Sequence, residues 1–146
     1  MKTLFTIGYS KHTPETLFER LKSAGVRMLL DVRELPISRK RGFAKSALAS
    51  AAAEHGVEYR HFKMLGVPAE MRHRKRDGGI DTADYMAEFR TLLHTRSDSL
   101  REAHELAAST PCCLLCLEER PEDCHRTIVA EELVKLAPNG VSIVHL

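Results

Sequence analysis

The chain has 146 residues, enough to bury a core in one domain and too few for two. Hydrophobic residues at 43% and charged residues at 29% exclude a disordered polymer, and the longest apolar run, around Cys112 to Leu117, is far too short to cross a bilayer. Twenty-two Lys and Arg against twenty Asp and Glu leave +2, so any attraction for nucleic acid must be local.

The opening MKTLFTIGYSKH has no apolar signal core, and the expectation is a soluble, cytoplasmic protein without a membrane partner and without a disulfide framework. Residues 3 to 8 form a short apolar strand ending at Gly8. Thr13 caps a helix with Pro14 at its first position, Leu17, Phe18 and Leu21 on its apolar stripe and Gly25 at its end. Residues 27 to 32 read as a buried strand, and the basic segment with Pro36 and Gly42 as a loop. An Ala-rich helix over 45 to 55 stops at Gly56, and 57 to 62 follow as a strand. Gly66 to Asp81 reads as a long mobile loop, or one with a short helical turn at most, with Pro68, Gly78, Gly79 and the basic run Arg72 to Arg76 as a solvated stretch, a phosphate-binding arm or a lid. Asp81 or Thr82 caps a helix carrying Tyr85, Met86, Phe89, Leu92 and Leu93, and Asp98 or Ser99 starts another with Leu100, Ala103, His104 and Ala107. Residues 112 to 117 are a strand covered on both faces, with Cys112 and Cys113 as small core residues. Asp123 caps a last helix with Val129, Leu133 and Leu136, and Asn139-Gly140 turns into a final strand. Strand and helix in alternation predict one α/β domain over 1 to 146, a mainly parallel sheet covered by helices on both faces.

Ligands of such sheets bind beyond the carboxyl ends of the strands. Gly8-Tyr9-Ser10, Asp31-Val32-Arg33 and Cys116-Leu117-Glu118 all fall at such ends, and the last leads into Cys124-His125-Arg126 in the first turn of the following helix. Asp31 and Arg33 share a side of their strand, which suits either a substrate-positioning acid–base pair or a structural ion pair. Ser38, Arg39, Lys40 and Arg41 suit phosphate or carboxylate recognition, or form a solvated loop. A helix start favours anions and lowers a thiol's pKa, so Cys124 reads as a reactive thiolate with His125 as proton partner and Arg126 gripping an anion. Alternatively Cys124 packs on the sheet, His125 caps, and Arg126 pairs with Glu118 or Glu122. The phosphatase spacing of Cys and Arg is missing, and Cys113 and Cys116 lie within a strand rather than in a redox C-x-x-C at a helix start. Zinc on Cys116, Cys124 and His125 is set aside, because adjacent helix residues diverge by roughly 100° and no fourth ligand stands out. The expectation is no metal. Aromatic content of 5% without Trp gives no stacking platform for single strands.

With TIGYS at 6 to 10, DVRELPISRKRGF at 31 to 43, LGVP at 65 to 68 and LLCLEERPEDCHR at 114 to 126, the chain resembles the family called domain of unknown function 488 over nearly its whole length. The last motif is the most specific. The family usually has His where Tyr9 stands, and LGVPAEMR stands where other members have a Gly-Gly pair. The resemblance implies a compact α/β domain with a polar cleft built from these motifs, and no settled activity or cofactor.

The leading functional expectation is an enzyme or enzyme-like domain acting on a small anionic or nucleotide-type ligand. Arg33, Arg39 and Arg126 orient the anion, with Ser10, Ser38 and Arg41 beside them; Asp31 or Glu118 is the acid or base, and Cys116 or Cys124 the nucleophile. The alternatives are a nucleic-acid-binding module using Arg39, Lys40, Arg41 and the 72 to 76 loop, and a thiol or metal sensor.

Overall fold

Apolar segments spaced by amphipathic helices assemble, in a computed structural model that describes residues 2–146, into one sheet of five strands with six α-helices among the described residues. The strands are β1 (Thr3–Gly8), β2 (Met28–Asp31), β3 (Glu58–His61), β4 (Cys112–Cys116) and β5 (Ser142–His145). They lie in the order β3-β2-β4-β1-β5, and every pairing is parallel. The helices are α1 (Pro14–Ser23), α2 (Lys45–Glu54), α3 (Ala69–Arg76), α4 (Thr82–Leu93), α5 (Ser97–Ser109) and α6 (Arg126–Lys135). The expected α/β class and parallel sheet are therefore present, with element ends displaced by a residue or two. No helix is long and apolar enough to cross a membrane among the described residues.

The period-two alternation of strand side chains splits the core in two. Ile7, Leu29, Cys113 and Leu115 pack with Leu17, Phe18 and Leu21 of α1 and Leu48 of α2. Met28, Leu30, Cys112 and Leu114 pack on the other face with Phe89 of α4, Ala103 of α5 and Leu133 of α6. The neighbouring strands β2 and β4 thus send their chains to opposite faces, β2 toward α2 and β4 toward α6. The segments that follow them leave in opposite directions, which opens the crevice where ligands of parallel sheets bind.

Four local expectations are corrected. The segment after Pro68 is not a loop: α3 occupies it, two turns long, with Pro68 in extended conformation at its N-cap position. It buries only Met71, about 1.5–3 kcal/mol of apolar burial, and is tied to the domain by ion pairs from Arg72 to Glu34 and from Arg74 to Glu88 of α4. Asp123 does not cap α6; it ends a 3₁₀ turn, Pro121–Asp123, and faces Arg120. Cys124 is extended and His125 takes the N-cap position, so only Arg126 of that trio is helical. Leu136 falls past the end of α6 and is exposed rather than on its stripe. By contrast, Thr13 forms a capping box with Thr16, and the Asp81 carboxylate accepts from the Asp84 N–H.

Two glycines allow the backbone crossings that shape the crevice. A Cβ at Gly8 would lie 1.7 Å from the Glu118 carbonyl oxygen, and one at Gly66 would lie 2.1 Å from the Glu34 nitrogen. The first crossing is locked by bonds from Tyr9 N to the Cys116 carbonyl and from Ser10 N to the Leu117 carbonyl, each 3.0 Å. Gly8→Ala must push two strand ends apart and is expected to cost about 3 kcal/mol. Gly140→Ala, where a Cβ meets nothing within 4 Å, is expected to stay within about 0.5 kcal/mol of the parent. Urea denaturation of both variants checks the difference.

Candidate functional site

The β2 end supplies a buried ion pair. Asp31 is fully buried, and its carboxylate accepts from Arg33 Nε at 2.8 Å and Nη2 at 2.6 Å, from the Arg33 N–H at 3.1 Å and from the Tyr59 hydroxyl at 2.5 Å. Arg33 Nη1 donates to the Phe43 carbonyl at 2.7 Å and to the Tyr9 hydroxyl at 3.3 Å, and Tyr9 stacks on Phe43 with ring centroids 4.6 Å apart. Burial opposes the Arg33 charge, but Asp31 and Tyr9 more than offset it and hold the guanidinium pKa above its ordinary value. Burial and the Asp31 charge push Tyr59 upward, so it stays a phenol and a donor. Breaking such a pair from one side leaves an uncompensated buried charge and costs about 3–5 kcal/mol. Asp31 and Arg33 form an ion pair, and Arg33 also borders the cleft.

The β4 end and the turn before α6 supply a cluster of thiols and an imidazole. Cys116 Sγ lies 3.6 Å from His125 Nδ1 and 3.7 Å from Glu118 Oε2. One ligand atom from each of Cys116, Cys124 and His125 falls within 4.8 Å of the other two, and all three residues are buried. His125 Nε2 lies 2.7 Å from the Val32 carbonyl. A carbonyl only accepts, so Nε2 carries a proton and Nδ1 faces the sulfurs. Phe89 meets the same ring edge-on, with centroids 5.1 Å apart.

The four cysteines divide sharply in acidity. Burial pushes the Cys112 thiol up to about 12 and raises Cys113 as well. Cys116 is raised by its hydrogen bond to Cys124 and by burial. Burial also opposes the Cys124 thiolate, but hydrogen bonds from Cys116 and His125 and the charges of His125 and Arg126 bring it well below the ordinary thiol range. His125 is drawn down by burial and, more strongly, up by Cys124 and the Val32 carbonyl. Glu118 is raised by burial of its carboxyl and by the Cys124 charge.

Cys116, Glu118, His125 and Arg33 border one cleft of about 280 Å³ at the crevice. Arg72 and Tyr85 close it from α3 and α4, and Leu35, Ile37, Val67 and Leu117 give it an apolar rim. Ile37 is 71% exposed and Leu35 47%, so this rim is open to solvent. Arg72 spends Nη1 on Glu34, at 2.9 Å, and on the Val67 carbonyl, at 2.5 Å, which leaves Nε and Nη2 without protein partners. The basic run 72 to 76 is expected as a solvated loop, a phosphate-binding arm or a lid, and Tyr85 on a core face; Arg72 reaches the cleft from α3, which carries no apolar periodicity, and Tyr85 from α4.

The other expected site residues lie elsewhere. Arg126 is 1% exposed and donates to Thr6 Oγ1 at 3.2 Å, the Glu118 carbonyl at 2.5 Å and the Glu119 carbonyl at 3.2 Å. It clamps the loop after β4 and does not grip an anion in the cleft; its partner is the Glu118 backbone, not a carboxylate. Asp31 sits behind Arg33 and does not reach the cleft. Cys124 backs the cleft without lining it. Ser10 and Ser38 lie outside it, the Ser10 carbonyl accepting from Lys40 Nζ at 2.8 Å and Ser38 Oγ from the Lys40 N–H at 3.1 Å. Arg39 and Arg41 are exposed and also outside. The argument that set zinc aside fails on geometry, because Cys124 is extended rather than helical and the 100° divergence of neighbouring helix residues does not apply.

A doubly covered parallel sheet with a cleft beyond the carboxyl ends of β2 and β4 defines an open α/β fold. Within it the chain belongs to the family described as Domain of unknown function DUF488, whose profile matches residues 13–133. No curated protein and no solved structure matches it.

The raised Glu118 carboxyl has a consequence for stability. The folded protein binds this proton more tightly than the unfolded chain, so the ionised side chain destabilises the fold once pH exceeds the folded value. Glu118→Gln is therefore expected to raise Tm modestly at neutral pH, because the residue keeps contact with solvent. The gain should vanish as pH falls below the ordinary Glu value of about 4.3. Melting curves of parent and variant across pH test the sign.

Proposed function

We propose that the cleft is the active site of an enzyme acting on a small anionic ligand of nucleotide type. The observation that carries this reading is convergence: Arg33 and Arg72, the Cys116–His125 cluster and Glu118 border a single cleft at the carboxyl ends of β2 and β4. The unengaged Nε and Nη2 of Arg72 suit the anionic group, and one Nη2–H of Arg33 is also without a partner. Leu35, Ile37, Val67 and the Tyr85 ring suit a flat, less polar moiety. The volume, about 280 Å³, lies just under the usual range of about 300–1,000 Å³ for drug-sized ligands. Glu118 is placed to exchange a proton with a ligand held there, and the thiol–imidazole cluster forms the reactive floor.

The nucleic-acid reading is weakened by the fate of its charges. Arg72, Arg74 and Arg76 of the basic run each have a carboxylate partner, and α3 is packed onto the domain rather than extended as an arm.

The probes are inorganic phosphate and a nucleoside monophosphate. Each charge-assisted bond contributes on the order of 1.5–3 kcal/mol, which puts the expected Kd between millimolar and micromolar. Both probes are expected to raise Tm above the value in chloride at matched ionic strength. Arg72→Ala should abolish that excess, and Glu118→Gln should retain binding while losing any turnover followed by NMR. An equal Tm in phosphate, nucleotide and chloride would contradict the reading.

A further inference from the structure

We propose that Cys116, Cys124 and His125 hold a zinc ion whose fourth coordination position opens onto the cleft. Zinc in proteins is four-coordinate, with Zn–S near 2.3 Å and Zn–N near 2.0–2.1 Å, so its ligand atoms stand about 3.5–3.8 Å from one another. Cys116 Sγ and His125 Nδ1 are 3.6 Å apart, and the three donor atoms lie within 4.8 Å of one another. Among the described residues this is the one such group of three His, Cys, Asp or Glu side chains. Two thiolates and an imidazole are the donors zinc favours over magnesium or calcium.

A second observation concerns orientation. The Nε2–H of His125 is committed to the Val32 carbonyl at 2.7 Å, and that bond turns the Nδ1 lone pair toward the two sulfurs. A backbone carbonyl on the distal nitrogen is the usual support of a metal-bound histidine. The ring is further held by the edge contact with Phe89.

A third observation sets the kind of site. Structural zinc has four protein ligands, whereas catalytic zinc has three and an open position. Glu118 lies 3.7 Å from Cys116 Sγ but stays outside the mutual group of three, so it borders the fourth position without filling it. Cys116 and His125 line the cleft, and Cys124 closes the site from behind. The open position therefore faces the ligand space. Zinc held by these three residues would supply Lewis acidity to a water or ligand oxygen on the cleft side. This deepens the enzyme reading toward metal-assisted hydrolysis, but the metal site itself stands on ligand geometry alone.

The test uses the whole chain, purified without a metal-binding tag, and has a readout independent of activity. Elemental analysis is expected to find about one zinc per chain. Replacement by cobalt should produce thiolate-to-metal charge-transfer absorption with intense tetrahedral ligand-field bands. Both signals should disappear in Cys116→Ala and Cys124→Ala and persist in Cys113→Ala, a buried thiol on the opposite face. His125→Asn should weaken zinc affinity by more than the 10–100-fold typical of losing a mere supporting partner. Should the cysteine variants fail to fold, alkylation of the parent protein replaces them. Zinc is expected to protect Cys116 and Cys124, and a chelator to expose those two and leave Cys112 and Cys113 unreacted. A parent protein that gives no cobalt–thiolate band, a band unchanged in Cys116→Ala and Cys124→Ala, or alkylation indifferent to the chelator would each overturn the proposal. If phosphate-specific stabilisation is present while zinc is absent, only the metal is refuted and the anionic cleft stands.

Discussion

A single hydrogen bond, from His125 Nε2 to the Val32 carbonyl, joins the start of α6 to the end of β2 across the crevice. Its geometry decides which ring nitrogen carries the proton and therefore which one faces the sulfurs. Val32 is buried at the end of a strand held on both sides by parallel partners, so the acceptor barely moves. The thiols come from elsewhere: Cys116 from the end of β4, and Cys124 from the extended residue just before the α6 N-cap. Without the bond to Val32 the imidazole could rotate away, and two buried thiols would remain with no fixed partner.

The charged groups around this centre divide into scaffold and surface. Arg33 and Arg126 are both buried, and both spend most of their donors on the protein: Arg33 on Asp31, Tyr9 and the Phe43 carbonyl, Arg126 on Thr6 and two carbonyls of the loop after β4. Desolvating a guanidinium is tolerable only when its N–H groups are met in this way. Arg126 pins the loop that carries Glu118, and Arg33 pins the loop that carries Leu35 and Ile37. The cations clamp the walls of the cleft. Arg72, half-exposed on α3, has donors left for a ligand.

Much of this was legible in the sequence. Apolar runs, Thr13 and Asp81 caps and the closing glycines located the strands and most helices, because those signals are local. The four motifs fell on one rim, as alternation of strands and helices requires. The α3 helix was not legible: Ala69 to Arg76 buries one apolar residue and owes its place to Glu34 and Glu88, distant in sequence. The direction of Arg126 was equally hidden, since the same residue at a helix start can face solvent or core. The donors of the proposed zinc site were visible as residue types, and zinc was set aside for want of a fourth ligand and on a helical geometry that Cys124, extended after the Pro121–Asp123 turn, does not have.

The central claim is that the fold fixes a proton on His125 Nε2 through the Val32 carbonyl and so turns Nδ1 toward the thiols of Cys116 and Cys124. Nitrogen-15 NMR of the histidine rings in the protein as purified tests it most directly. The account predicts that His125 Nε2 carries a proton that exchanges slowly because Val32 accepts it, with Nδ1 the nitrogen that responds to the thiols and to zinc. A neutral His125 ring protonated on Nδ1 with a bare Nε2 would contradict it.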